Sequence, residues 1–150
     1  MGDDPISLFT LKLSLGFMQL SSFQHGEYKI SVSGRILVAT VGGSWNEETA
    51  LAYSEDLRSA AQPLITGDWG HIVFLEEWNL GVLEIVPVIE ELVTWCLANG
   101  MKRSALVYPP SVLKRLQLHG MITEQGDFRR QSFATEQEAM EWLNAAGYFL

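Results

Sequence analysis

From Tyr28 onward apolar and polar positions alternate, with Tyr28, Ile30 and Val32 set against Lys29, Ser31 and Ser33. A period of two belongs to a strand with one buried face. Gly34 and Arg35 then turn the chain into a nearly continuous apolar run over 36–41, so the two segments read as a hairpin of one outer and one buried strand. After Gly42 and Gly43 the period changes: Tyr53, Leu57, Ala60, Ala61 and Leu64 mark one face at helical spacing. Ser44 or Asn46 caps that helix, and Pro63 helps to end it.

A short buried strand is expected over 72–75, followed by a helix over 84–99 in which Pro87 is tolerated because it lies in the first turn. Gly100 is a natural stop for it. Ala105, Leu106, Val107 and Tyr108 form the next apolar strand, ended by Pro109 and Pro110 before a brief helix over 112–118. A polar strand over 129–133 runs into Thr135, Glu136, Gln137 and Glu138. There Thr135 and Glu138 have the spacing of a capping box, each side chain satisfying the other residue's backbone N–H. The last helix buries Ala139, Trp142, Leu143 and Ala146 and stops at Gly147. The order is ββαβαβαβα, an α/β domain whose mixed sheet has one antiparallel strand and mainly parallel crossovers. No internal repeat or linker interrupts it.

The first two dozen residues stand apart. Phe9, Leu11, Leu13, Leu15 and Phe17 alternate with Thr10, Lys12, Ser14 and Gly16, which is again a strand period. Residues 1–24 therefore read as an N-terminal extension, contributing an extra edge strand or preceding the domain of residues 25–150. An exposed strand of this kind also pairs readily with a second chain. Asp3 and Asp4 occupy the place where a secretory signal would need basic residues, which argues against export.

Composition narrows the possible partners. A chain of 150 residues is one domain long, 47% hydrophobic and 19% charged, with no apolar run long enough to span a bilayer. Its net charge of -8 argues against nucleic acid and anionic membranes, which reward clustered Lys and Arg. A neutral or basic partner, or a second copy of the chain, fits better. With Cys96 the single cysteine there is no internal disulfide and no cysteine zinc cluster, as suits a reducing cytoplasm.

Candidate chemistry is sparse. In an open α/β sheet ligands sit beyond the carboxyl ends of the strands, and here the strand over 72–75 empties into Glu76, Glu77, Trp78 and Asn79. No nucleophile, histidine or phosphate loop stands there. Cys96, between Trp95 and Leu97 on an apolar helix, reads as a small hydrophobe without a base to make it a thiolate. His25, His71 and His119 lie in three separate segments and read as solvated loop or strand-end residues, not as a metal site. Gly42, Gly43 and Ser44 lack the lysine of a phosphate loop and make a tight turn and cap. The pairs Glu47/Glu48, Glu76/Glu77 and Glu90/Glu91 are sequence neighbours; on a helix such residues point about 100° apart and cannot face each other as a dyad. Trp45, Trp69 and Trp78 read as loop residues next to strand ends, serving as lids over the core, or lining an apolar pocket if two of them converge.

The hairpin and alternating elements, His25-Gly26-Glu27-Tyr28, Gly43-Ser44-Trp45-Asn46, the strand over 72–75 and the ending from Phe133 through Thr135 and Glu138 to Leu143 resemble the SpoIIAA-like proteins. Those belong with the STAS domains, the fold of bacterial anti-sigma-factor antagonists, and the resemblance spans roughly residues 25–147. It implies a four- to five-stranded mixed sheet with helices packed against it, and, in signalling members, a phosphorylatable serine after the third strand at the start of the next helix. The matching segment here, Glu76-Glu77-Trp78-Asn79-Leu80-Gly81, has no serine or threonine, which puts the kinase-operated switch in doubt. Glu76 or Glu77 is then either a permanent stand-in for phosphate or part of a solvated acidic loop.

The reading that follows is a non-enzymatic cytoplasmic module, without cofactor or metal, that works by protein contact. Its expected surface comprises Glu76, Glu77, Trp78 and Asn79 with the neighbouring Trp45, Asn46, Tyr108 and Ser111. Its partner is another protein or a second copy of itself. The rival reading is a binder or carrier of a lipid or other small apolar ligand, in line with a broad likeness of STAS folds to Sec14-type carriers. Stable membrane insertion is not expected.

Overall fold

The structure is a computed structural model that describes residues 26–119 and 124–150. The alternating stretch from Phe9 to Phe17, and with it the division after residue 24, lies outside the described residues.

Five strands form one mixed sheet in which spatial order equals chain order, β1-β2-β3-β4-β5. Strands β1 (Glu27–Ser33) and β2 (Ile36–Trp45) make the expected antiparallel hairpin. Its two-residue turn needs a left-handed residue: Gly34 has φ +60°, and a Cβ there would lie 2.2 Å from the carbonyl oxygen of Phe149. Strands β3 (Trp69–Gly81), β4 (Met101–Val107) and β5 (Arg129–Phe133) follow in parallel. The helices are α1 (Glu47–Ala60), α2 (Ile85–Ala98), α3 (Val112–His119) and α4 (Glu136–Ala145), with a 3₁₀ turn at Gln62–Leu64 that contains Pro63. The element order is the expected ββαβαβαβα.

Two hydrophobic clusters sandwich the sheet. On one face Leu37, Ala39, Val41, Val73, Leu75 and Leu106 meet Ala50, Tyr53 and Leu57 of α1 and Ile85, Leu92 and Cys96 of α2. On the other, Ile36, Ile72, Ala105 and Val107 meet Ala139 and Leu143 of α4. Burial of a leucine such as Leu143, fully hidden from solvent, contributes roughly 1.5–3 kcal/mol. Trp142, expected to be buried as an anchor of this helix, is half-buried and lies against Phe133 with ring centroids 5.6 Å apart. The anchors are Ala139 and Leu143, because an indole at position 142 reaches the rim of the sheet and not its centre.

Caps fall where side-chain chemistry places them. Asn46 accepts the Thr49 N–H at 3.0 Å and starts α1; Ser44, the other candidate, is exposed. Thr135 accepts the Glu138 N–H at 3.2 Å, while the Glu138 carboxylate takes the Thr135 hydroxyl at 3.1 Å, a variant of the expected reciprocal box.

Three strands outrun their expected limits: β2 runs on to Trp45, so Gly42, Gly43 and Ser44, expected as a tight turn and cap, are strand residues. β4 begins at Met101 and carries Lys102 and Arg103. Their charges are met at the strand's flank, by Asp127 for Lys102 at 3.3 Å and by the Lys102 and Asp127 carbonyls for Arg103. β3 runs 13 residues, so Glu76, Glu77, Trp78 and Asn79, read from the sequence as a loop, lie in a strand. Trp45, Trp69 and Trp78 are likewise strand residues buried in the core, not loop lids.

Candidate functional site

The extension of β3 owes its form to two bulges. Pairing with β2 runs Thr40↔Phe74 and then Gly42↔Glu77, and again Gly43↔Trp78 and then Trp45↔Gly81, so β3 twice spends one residue more than its neighbour. An extra residue breaks the in-out alternation and bends the strand. Glu76 and Glu77 are therefore both exposed in succession, and Trp78 turns inward at 3% exposure.

On its other side the extension has no strand partner, since pairing with β4 ends at Phe74↔Val107. Bare edges of this kind invite pairing with another chain. Helix α3 covers it with side chains instead. Lys114 Nζ donates to the carbonyls of Leu75 and Glu76 at 2.7 and 3.1 Å, across the first bulge. Gln117 accepts the Gly81 N–H at 3.2 Å and donates to the Gly81 carbonyl at 2.8 Å. Ser111 accepts the Lys114 N–H at 3.2 Å, capping the helix that delivers both side chains.

The β2 end beside it is locked by aromatics. Trp45 packs edge-on against Tyr53 at 5.0 Å and Tyr28 at 6.0 Å, and its indole N–H donates to the Gly42 carbonyl at 3.0 Å. Gly43, at φ +73°, lets the backbone of Gly26 approach to a point where a Cβ would sit 2.7 Å from its Cα. The Tyr28 hydroxyl donates to Asp56 at 2.5 Å, and burial together with that carboxylate pushes its pKa up.

Of the eight residues expected to form a surface, Glu76, Glu77 and Asn79 face solvent. The other five are structural in position: Trp45 and Trp78 point into the core, Asn46 caps α1, Ser111 caps α3, and buried Tyr108 has its hydroxyl 3.1 Å from Ser132 Oγ. The solvent-facing end is completed by residues without a distinctive motif. Between β3 and α2, Val82 is 46% and Leu83 82% exposed, followed by exposed Glu84. The Val82 N–H donates to the Trp45 carbonyl at 3.1 Å, which sets this turn beside the start of α1 with its exposed Glu47 and Glu48. The result is an apolar tip bordered by carboxylates.

Behind the tip, between the sheet and helices α1 and α2, lies an apolar cavity of about 90 Å³. Trp45 and Trp78 converge on it, with Tyr53, Cys96, His71 and Ser104 also in its wall. Cys96 is buried, and that burial pushes its thiol up to about 12, so it holds its proton at neutral pH. His71 is not the solvated residue expected from sequence. It stands opposite Ser104 across the β3–β4 pair, Nδ1 lies 3.1 Å from the Ser104 hydroxyl, and Nε2 is buried with no protein partner. Burial lowers its pKa to about 4 and keeps the ring neutral at pH 7. A histidine inside an otherwise apolar strand run was the sequence signal for this pair.

Among the described residues no cluster of three His, Cys, Asp or Glu side chains has the arrangement of a metal site, and no helix is long and apolar enough to cross a membrane.

No protein-family model and no curated protein matches the chain in sequence. Solved structures do match in three dimensions. An uncharacterised protein of the DUF3478 family with a SpoIIAA-like fold, from Shewanella loihica, superposes with a TM-score of 0.60 at 16% identity, over 81% of this chain and 95% of that one. The anti-sigma factor antagonist SpoIIAA in its unphosphorylated form superposes with a TM-score of 0.53 at 16% identity, over 79% of this chain and 98% of its own. The chain thus has the SpoIIAA-like, STAS-type fold expected from its residues.

Proposed function

We propose that this SpoIIAA-like fold serves as a non-enzymatic, cytoplasmic contact module whose docking surface is the tip where β3 passes into α2. The observation that carries the reading is Leu83, a large aliphatic side chain left 82% exposed among carboxylates. A single exposed leucine is ordinary on a protein surface. Here it projects from a turn hydrogen-bonded to β2, with Val82 beside it, Glu84 next to it in the chain and the exposed Glu47 and Glu48 at the start of α1, while Glu76 and Glu77 stand further back along β3. An apolar contact bordered by one sign of charge is the design of an interface in which the leucine supplies affinity and the rim supplies orientation and partner choice. The partner that fits is a protein with an apolar recess flanked by Lys or Arg.

Phosphate does not regulate contact at this turn, because residues 76–84 contain no serine or threonine. The turn itself reads Val82-Leu83-Glu84 and offers no hydroxyl. The acidic rim supplies permanent charge, so contact is constitutive and sensitive to salt.

The test is a capture experiment from source-cell lysate with the wild type, Leu83→Ser and Glu76→Lys/Glu77→Lys, read by mass spectrometry, with each variant's fold checked by circular dichroism. A partner held by the wild type and lost from both folded variants supports the tip as the surface. The same partners retained by both variants would overturn it.

A further inference from the structure

We infer that Arg103 and Arg129 form a binding site for the dianionic phosphate group of a small soluble molecule. The site lies at the amino ends of β4 and β5, at the opposite end of the sheet from the acidic tip, and does not rest on the contact reading.

Three observations carry it. The first is placement. Arg103 and Arg129 are directly paired in the β4–β5 register. Ala105, two residues on from Arg103, packs beneath α4, so both arginines stand on the α4 side of the sheet. Their Nη1 atoms hang on one turn. That of Arg129 donates to the Gly126 and Phe128 carbonyls at 2.7 and 2.8 Å, and that of Arg103 to the Asp127 carbonyl at 2.9 Å and the Lys102 carbonyl at 2.8 Å. Three successive carbonyls thus tether the two guanidinium groups to one short segment.

The second is what this tethering leaves open. Among the described residues, Nε and Nη2 of both arginines make no hydrogen bond, and neither side chain forms an ion pair with a carboxylate. The Nε–Nη2 edge is the fork that grips an oxyanion through two parallel N–H bonds. Neither arginine reaches a terminal carbonyl of α4, so capping that helix does not account for them. Arg129 is exposed and Arg103 half-buried, which leaves the forks open to solvent. The Asp127 carboxylate, in the same turn, is engaged 3.3 Å away by Lys102, the extra residue where β4 bulges against β3. Those two charges offset each other, and the two arginine charges remain.

The third is cost. The chain holds 18 Asp and Glu against 10 Lys and Arg, yet the fold sets two arginines side by side with no acid between their forks. Like charges so placed on neighbouring strands disfavour the sheet. A local rule broken without compensation inside the fold is expected at a functional site. The group that offsets two such charges is a dianion. A carboxylate fills one fork, whereas a phosphate ester carries close to two negative charges at neutral pH and has three terminal oxygens with which to bridge both.

The experiment titrates inorganic phosphate and phenyl phosphate into the full chain, labelled with ¹⁵N, and follows the Nε–H resonances of Arg103 and Arg129 at neutral pH, with ionic strength held constant by sodium chloride. Saturable shifts of both resonances are expected with either phosphate. Arg103→Gln and Arg129→Gln, each checked for fold by circular dichroism, should bind phosphate about tenfold more weakly. Asp127→Asn should bind it several-fold more tightly, because a competing carboxylate is gone; a merely structural role for the turn would not move affinity in that direction. A linear, non-saturating response, or unchanged affinity in either arginine variant, overturns the site. Vesicles containing phosphatidic acid test the source of the phosphate: at a net charge of -8 the chain should stay in the supernatant, and co-sedimentation that both arginine variants lose would overturn a soluble ligand in favour of a lipid headgroup. Should an arginine variant fail to fold, the wild type decides alone: shifts with phosphate equal to those with chloride at matched ionic strength overturn the site.

Discussion

Gln117 grips Gly81 by both of its backbone groups, accepting its N–H at 3.2 Å and donating to its carbonyl at 2.8 Å. A side chain amide here does what a neighbouring strand does elsewhere in the sheet, and it does so at the last residue of β3, next to the exposed Val82 and Leu83. The position of the apolar tip therefore depends on a helix remote in sequence.

Replacing that amide with a hydrocarbon of similar size should release the tip. Gln117→Leu is expected to lose about 1–2 kcal/mol of stability, the sum of two ordinary hydrogen bonds, with the loss concentrated locally. Hydrogen exchange at the Gly81 amide should accelerate well beyond that of β2 and the β4-paired part of β3. Uniform acceleration across the sheet would show that the clamp is not local.

Glu76 and Glu77 are exposed, and neither side chain is needed by the strand that carries it. Glu76→Lys/Glu77→Lys should unfold cooperatively with a stability within about 0.5 kcal/mol of the wild type. A urea melt measures this. A broad or strongly shifted transition would assign the pair a structural role.

The two faces of α4 should respond unequally. Leu143→Ala removes a side chain hidden from solvent and is expected to cost about 2–5 kcal/mol. Trp142→Ala removes a half-buried ring whose main partner is Phe133, and should cost distinctly less. Thermal unfolding of the two variants side by side gives the order, and a reversed order would move the anchor of the helix to the indole.

His71 makes the fold acid-sensitive in a defined window. Its pKa falls from 6.5 to about 4 on folding, so between those values the unfolded chain binds a proton that the folded chain does not. Stability from this group is complete above pH 6.5, declines as pH falls toward 4 and levels off below. The groups that line the cavity with it, Tyr53 and Cys96, have pKa values raised by burial and stay protonated throughout, and Ser104 does not titrate. Between pH 7.5 and 4.5 the wild type should lose roughly 2–3 kcal/mol more than His71→Phe, a difference that removes the carboxylates common to both. Equal losses in urea melts at the two pH values would mean that the ring is hydrated.

Much of the architecture was legible because its causes are local. The alternation at Tyr28, Ile30 and Val32, the Gly34 turn, the Asn46 cap and the Thr135–Glu138 spacing each specify an element without reference to the rest of the chain. What escaped notice is what depends on neighbours. The bulges in β3 place Glu76 and Glu77 in succession on the outside, which erases the strand period just where the strand continues. Trp45 and Trp78 look like loop residues for the same reason, and Lys114 and Gln117 acquire their roles only because α3 happens to lie along an edge 36–39 residues away in sequence. The tip itself was half visible: its carboxylates stood out, while Val82 and Leu83 resemble any apolar helix approach.

Because each strand lies next to its predecessor in the chain, every pairing surface in the sheet is present as soon as the following strand is made. A chain emerging from the ribosome can add strands one at a time to a growing edge, without waiting for a distant segment to arrive. Loop closures stay short, and the entropy of each is offset before the next is incurred. Vectorial growth of this kind leaves β5 and α4 as the final step, and the nascent domain most vulnerable just before Leu143 closes over the second face of the sheet.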